Sequence, residues 1–265
     1  MATYLETHAR EADRVQADVI GVPIDIGSIP SMSRNLIQLA DQKKSSGGYV
    51  CVANVHMLTI AHADPGYKSI LEKAHLVTPD GMPLVWTQKI KGFKEAQRVS
   101  GPDLMLELCN LASESGHSIY LLGANQPTLD LLSNKLIQQF PGLKIAGVYA
   151  PEKLPDQAPL DEALVAKINA SGASFLFVGL GCPKQEYWCA THSPKLTPIA
   201  LGVGAAFDFH AGTKKRPPAF IQQWGLEWLY RLISEPGRLW KRYLVSNSAF
   251  VYYSLLDLLH INKSQ

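Results

Sequence analysis

Apolar residues fall into short runs separated by stretches of helical period. ADVIGVPI (17–24), YVCVAN (49–54), HLVTPDG (75–81), HSIYLLG (117–123), LKIAGVY (143–149) and ASFLFVGLG (173–181) read as strands, and TPIALGVGAAFDF (197–209) as a last apolar run. Between them, residues 31–44, a stretch from His56, and residues 102–116, 126–140, 160–172 and 183–192 carry the repeat of amphipathic helices. Strands that are apolar at nearly every position are covered on both faces. The alternation therefore predicts an α/β fold, a parallel sheet with helices on both sides. Ligands in such sheets bind beyond the carboxyl ends of the strands, so the loops that follow strands are where chemistry is sought.

The pattern breaks at Arg216-Pro217-Pro218. Beyond it, AFIQQWGLEWLYRLISEPGRLWKRYL is helical with an interruption at Glu235-Pro236-Gly237. This predicts an α/β catalytic domain over residues 1–210 and a helical appendage over residues 211–265. Charge divides at the same place. The appendage has eight Lys/Arg against three Asp/Glu, net +5, whereas the first 210 residues carry 17 basic and 20 acidic side chains, net −3. It also holds nine of the 23 aromatic residues. A basic, aromatic-rich helical segment suits a membrane interface, where Trp and Tyr sit at headgroup level and Lys/Arg meet anionic lipid. A packed helix pair with a solvated basic face and a nucleic-acid surface are the alternatives.

Composition narrows the classes. With 265 residues, 46% of them hydrophobic, the chain builds a real core and is not a disordered protein. No apolar run reaches the ~18–20 residues of a membrane-spanning helix. The opening MATYLETHAREADRVQ is polar and mixed in charge, unlike a secretory signal. The four cysteines are scattered without a CxxC, which predicts a reducing, cytoplasmic setting with neither disulfides nor a zinc site. The eight histidines show no HxxxH or HxH spacing and there is no D-x-D, so no metal and no other cofactor is expected. A leaving diphosphate would then be neutralised by Arg, Lys and helix N-termini.

Six loops carry candidate chemistry. Asn54 ends a strand, either as an orienting group for sugar or phosphate or as a helix N-cap. Asp80, followed by Gly81, is either a turn residue or a general base whose carboxylate reaches a cleft while Gly81 leaves room for substrate. Arg98, ahead of Gly101-Pro102, reads as a phosphate clamp or a surface Arg. Gly123-Ala124-Asn125 follows a strand and opens a helix, which suits phosphate or ribose contact through backbone N–H groups or, alternatively, a Gly that merely turns the chain. Gly179-Leu180-Gly181-Cys182-Pro183-Lys184-Gln185-Glu186 is the most distinctive: Lys184 is placed to meet phosphate and Gln185 sugar hydroxyls. It is neither a dinucleotide fingerprint nor a phosphate-binding Walker loop. Finally, the segment of Gly204 and Asp208 reads either as small residues that let a flat base approach the backbone, with Asp208 accepting from base or ribose, or as a tight sheet edge with a capped turn.

These segments in order, ANVHML, VTPDGMPLVW, RVSGPDLM, YLLGANQPT, FVGLGCPKQEYW, GVGAAFDFHAG and RPPAFIQQWGLEWLYRLISEPGRLWKRYL, resemble the WecG/TagA/CpsF family of bacterial glycosyltransferases (glycosyltransferase family 26) from about Ile20 to Leu244. The resemblance implies a Rossmann-like fold with a C-terminal membrane-binding appendage. It implies an inverting, metal-independent transferase that moves a sugar from a UDP-sugar to a polyprenyl-diphosphate-linked sugar at the cytoplasmic face of the membrane. Wall teichoic acid linkage units, enterobacterial common antigen and exopolysaccharide are the products of such enzymes. Asp80 matches the family's proposed base, and Asn54, Arg98, Gln185 and Asp208 match positions implicated in donor binding or catalysis. Arg231 and Arg238 match appendage arginines thought to close over the diphosphate, and Lys241 stands where a further basic residue is expected. Some members carry Thr where this chain has Val52, which lacks the hydroxyl. With a lipid-linked acceptor implied, the membrane reading of the appendage leads and nucleic acid drops out. The donor sugar stays open among N-acetylmannosamine, its uronic acid and glucose. An NAD-dependent nucleotide-sugar dehydrogenase or epimerase, and a non-catalytic membrane module, are the competing functions.

Overall fold

The computed structural model describes residues 14–42 and 47–261. Its centre is a six-stranded, fully parallel sheet in the order β4-β3-β8-β7-β5-β6. The strands are β3 (Tyr49–Ala53), β4 (Leu76–Pro79), β5 (Ser118–Gly123), β6 (Lys144–Tyr149), β7 (Phe175–Gly179) and β8 (Ile199–Gly202). Alternate residues feed two cores. Cys51, Ala53, Tyr120, Leu122, Leu176 and Val178 pack on one face, and Val50, Val52, Ile119, Leu121, Phe175 and Phe177 on the other. This double burial is why the strands read as continuous apolar runs.

The helices lie where capping chemistry starts them. The body carries α1 (Ile29–Asp41), α2 (Val55–Ala63), α3 (Pro65–Glu72), α4 (Met82–Ile90), α5 (Gly101–Ser115), α6 (Gln126–Gln139), α7 (Glu162–Ala170), α8 (Lys184–His192) and α9 (Ala206–Ala211). Side chains of Asn54, Asp64, Ser100, Asn125 and Asp161 accept hydrogen bonds from the first-turn N–H groups of α2, α3, α5, α6 and α7.

Three elements depart from the sequence reading. Residues 17–24 are not one strand but an antiparallel hairpin, β1 (Gln16–Val19) and β2 (Val22–Asp25), turning at Ile20 (φ 48°) and Gly21 (φ 83°). Both turn residues lie at positive φ, the geometry whose twist matches paired strands. The apolar stretch from 197 ends its strand at Gly202 and continues as α9. The helical stretch from His56 is two helices, because Asp64 leaves helical geometry ahead of Pro65.

Beyond residue 211 the chain forms α10 (Ala219–Gln223), α11 (Glu227–Ser234) and the long α12 (Pro236–Ile261). This tail folds back onto the body. Phe250 of α12 is buried in the same core as Cys51 and Met57, and Leu239 is also buried. Arg216 forks onto Asp103 at 2.6 and 2.7 Å, and Lys91 pairs with Asp257 at 2.6 Å. Burying one Phe contributes about 1.5–3 kcal/mol, so Phe250 alone is a substantial anchor.

Candidate active site

The carboxyl ends of β4, β3, β8 and β7 lie side by side, and the loops leaving them bring Asp80, Asn54, Gly204 and the 179–185 turn to one place. Asp80 follows β4 directly. Its N–H donates to the Ala53 carbonyl at 2.7 Å, which extends the ladder one step past Pro79 and seats Asp80 next to Asn54. Gly81 follows at φ 136°, a conformation that residues with a Cβ rarely adopt, and α4 starts there. The Val99 N–H donates to the Pro79 carbonyl at 2.9 Å and Thr78 Oγ1 to the Val99 carbonyl at 3.2 Å, so the chain before α5 runs beside β4 and sets Arg98 against Asp80.

Arg98 donates from Nε (3.3 Å) and Nη2 (3.0 Å) to Oδ1 of Asp80, and from Nη2 to Glu227 Oε2 at 2.7 Å. Burial pushes the Asp80 carboxyl above the ordinary aspartate range. The Arg98 and Arg231 guanidinium groups oppose that rise and Glu227 adds to it. Arg98 is held more firmly protonated than usual, since the two carboxylates outweigh the burial that works against its charge.

Two cavities meet at this point. The larger, about 370 Å³, is walled by backbone at 179–183 and 202–206, with Val52, Lys184, Gln185, Asp208 and Lys214 around it. The smaller, about 120 Å³, is lined by Val55, His56, Met82, Trp228, Tyr243, Ser246 and Asn247. Asn54, Asp80, Glu227, Arg231 and Arg242 border both. Cavities of the larger size and of this mixed lining accommodate small-molecule ligands.

Apart from Arg238, the residues singled out from sequence have definite places. Asn54 caps α2, accepting from the His56 and Met57 N–H groups, and borders both cavities as well, so the cap does not remove it from the candidate site. Gly81 and Arg98 line the smaller cavity; Gly179, Gly181, Gly204 and Asp208 line the larger. Lys184 faces the larger cavity with its ammonium already on the Leu154 carbonyl at 2.6 Å and near Asp156 at 3.6 Å. Gln185 is buried and occupied: Oε1 accepts from the Gly181 N–H at 3.2 Å and Nε2 donates to Glu186 at 2.8 Å. That locks the 179–185 turn. Burial holds Glu186 itself above the usual glutamate range. Asp208 pairs with Lys214 at 3.2 Å.

Gly123 and Asn125 are not brought into either cavity. Asn125 caps α6 by accepting from the Thr128 N–H at 2.9 Å. Gly123 is needed for packing, because a Cβ there would stand 2.5 Å from the Gly179 carbonyl oxygen. The side chain of Arg238 lies outside the described residues. Lys241 is exposed, its ammonium 5.4 Å from the Trp240 ring centre, and its neighbour Arg242 faces the cavities instead.

Sequence reasoning missed Glu227, Arg242, His56 and Lys214. Helical spacing held a signal for two of them. Glu227 and Arg231 are four apart on α11, and Leu239, Arg242, Ser246 and Phe250 recur at three and four on α12, the face turned to the body. The Arg242 Nε is buried and has no hydrogen bond among the described residues. Burial, with Arg242 nearby, lowers His56 to about 4, so it is neutral and bonds Ser246 Oγ at 2.9 Å through Nδ1.

The outer side of the tail is apolar. Phe220, Trp224, Ile233, Leu244, Val245 and Leu255 are exposed, as are Trp86 and Ile90 of α4. No helix among the described residues is long and apolar enough to cross a membrane. Nor does any group of three or more His, Cys, Asp or Glu among them stand ready for a metal ion.

This arrangement spans nearly the whole chain, and so does the match to known proteins. The profile of the glycosyl transferase WecG/TagA/CpsF family covers residues 17–264. A Bacillus spizizenii protein named N-acetylglucosaminyldiphosphoundecaprenol N-acetyl-beta-D-mannosaminyltransferase is 33% identical over 206 residues, 77% of either chain. A Staphylococcus aureus protein of the same name is 26% identical over 237 residues, 89% of this chain and 90% of its own. Carboxylate, paired cavities and tail thus all lie within the matched span, and the chain belongs to the WecG/TagA/CpsF family of glycosyl transferases.

Proposed function

We propose that the protein transfers a sugar from a UDP-sugar to a polyprenyl-diphosphate-linked sugar, with inversion and without a metal, in bacterial surface polysaccharide synthesis. The observation that carries this is Asp80: a carboxyl raised by burial on the border between a backbone-walled polar cavity and a smaller one floored by the tail. The larger cavity is the donor site. Its glycine-rich turns admit uracil and ribose close to the backbone, and Asn54, Gln185 and Asp208 shape it. Arg231, Arg242 and Lys214, with Lys184 at the rim, balance the diphosphate. The buried Nε of Arg242, without a hydrogen bond among the described residues, supports that assignment.

In this reading the acceptor sugar enters the smaller cavity. An acceptor hydroxyl gives its proton to Asp80 while its oxygen attacks the anomeric carbon. The bond to the UDP oxygen breaks on the opposite face, so configuration inverts, and the proton later leaves Asp80 for solvent. General-base help of this kind is worth about 10²–10⁴ in rate. The relatives' names support N-acetylglucosaminyl-diphosphoundecaprenol as acceptor and N-acetylmannosamine as the sugar moved. Residues 1–210 carry the base and the donor turns, and residues 211–265 supply cations to the site and face the membrane. The exposed aromatic and aliphatic side chains of the tail rest in lipid at the inner face of the cell membrane, helped by Lys and Arg at about 1 kcal/mol each near anionic headgroups.

The test is release of UDP from a panel of UDP-sugars, with and without a short-chain lipid diphosphate acceptor, alongside thermal shift with each donor. Acceptor-dependent UDP release with one donor is the expected result. Stabilisation by nicotinamide dinucleotides rather than UDP-sugars would overturn it.

A further inference from the structure

Two Arg–Asp pairs in this protein differ in one respect. Arg216 meets Asp103 as a fork, Nη1 to Oδ1 at 2.6 Å and Nη2 to Oδ2 at 2.7 Å, so both carboxylate oxygens are taken. Arg98 meets Asp80 on one oxygen only: its Nε and its Nη2 both reach Oδ1. Oδ2 of Asp80 takes part in no hydrogen bond among the described residues. The difference has a visible cause. Nη2 of Arg98 is drawn away by a shorter bond, 2.7 Å, to Glu227 on the first turn of α11.

We propose that Glu227 is a positioning residue for sugar transfer: from the tail it holds Arg98 off the fork geometry, so that Asp80 keeps one carboxylate oxygen free for the acceptor hydroxyl. The proposal rests on the reading of Asp80 as the base. An Arg fork is the tightest way a guanidinium binds a carboxylate, and it would consume both oxygens of the base. Glu227 prevents that at the moment the tail docks, since it belongs to α11 and Arg98 to the body. A transferase whose base is complete only with its tail in place has its chemistry tied to the segment that meets the acceptor.

The electrostatics run the same way. Asp103 is lowered, the Arg216 fork overcoming the rise that burial causes, whereas Asp80 is raised. The charged groups that line the smaller cavity with Asp80 are Arg98 from the segment before α5, Glu227 and Arg231 from α11 and Arg242 from α12, with His56 from α2 neutral. The larger cavity adds Asp156, Lys184 from α8, Asp208 from α9 and Lys214. Of these carboxylates, Glu227 is the one whose charge raises Asp80.

The experiment is the pH dependence of acceptor-dependent UDP release for the wild type, Glu227→Gln and Glu227→Asp, with Asp80→Asn as reference. In Glu227→Gln, Arg98 closes onto both oxygens. kcat falls by up to about 100-fold, the effect of misplacing one group at a reacting centre. The acidic limb moves to lower pH and the donor KM holds. Glu227→Asp restores part of kcat. In an Arg98→Lys background, where no fork can form, Glu227→Gln adds no further loss, because both changes act through one contact. An unmoved acidic limb with undiminished kcat overturns the proposal. So do a raised donor KM with kcat preserved, and additive losses in the double variant. Undiminished turnover by Asp80→Asn would instead remove the reading beneath it.

Discussion

The N–H of Asp80 and the carbonyl of Ala53 are joined at 2.7 Å across the ends of two parallel strands. The bond makes the position of Asp80 a property of the sheet rather than of a loop, and its neighbour Asn54 is fixed by the helix it caps. Asp80→Asn keeps the size and the backbone bond while removing the base. UDP binding should persist, measured by calorimetry, while transfer falls by about 10²–10⁴. Full activity of this variant would strip Asp80 of its role.

Arg242 and Lys241 are adjacent in sequence and opposite in orientation. Arg242→Ala should lower kcat by about 10²–10³, the usual loss on deleting one donor to a developing negative charge. Lys241→Ala should leave turnover of a soluble acceptor unchanged. Equal effects from the two would show that bulk charge, not a placed guanidinium, matters.

His56 supplies a pH dependence of stability. Its pKa is lowered from 6.5 to about 4, so between those values the unfolded chain binds more proton than the folded one. The stability associated with neutral His56 is complete above pH 6.5 and drains away as pH falls toward 4. Urea midpoints taken across that interval should fall less steeply in His56→Gln, whose amide carries no proton to gain. A slope identical to wild type would mean that His56 stays protonated in the folded protein.

Membrane contact is best tested by point changes. Removing residues 211–265 would also withdraw Phe250 from the core. Trp224, Ile233 and Leu244 are exposed, so replacing all three by Ser leaves the interior intact. A fully buried large apolar side chain contributes about 1.5–3 kcal/mol, so even partial insertion of three predicts at least a tenfold loss of binding to anionic vesicles. Co-sedimentation equal to wild type would refute lipid contact by this face.

Much of this architecture was legible in the chain because a doubly covered sheet writes itself as uninterrupted apolar runs. The loops after β3, β4, β7 and β8 were legible for the same reason, and they hold Asn54, Asp80, Gly179–Gln185 and Asp208. Gly123 and Asn125 read like a phosphate turn, yet β5 lies on the far side of β7 from the cleft, a fact of strand order that no local pattern records. Glu227 and Arg242 stayed hidden because they reach the site from more than 120 residues beyond Asp80. Only the helical register of a segment whose docking was unknown pointed to them. The hairpin at 16–25 was missed because Ile-Gly is not among the usual turn pairs, and an apolar residue at its tip kept the run continuous.

That hairpin tip has a partner far along the chain. The Ile20 N–H donates to Asp257 Oδ2 at 3.2 Å, across 237 positions, and the same oxygen takes the ammonium of Lys91, whose side chain is 8% exposed. A β-branched residue at φ 48° and a sunken cation thus share one carboxylate of α12, the cation also donating to the Asp18 carbonyl at 2.8 Å. Hairpin, α4 end and α12 are knotted at a single carboxylate, and Asp257→Ala should loosen a turn 237 positions away in sequence.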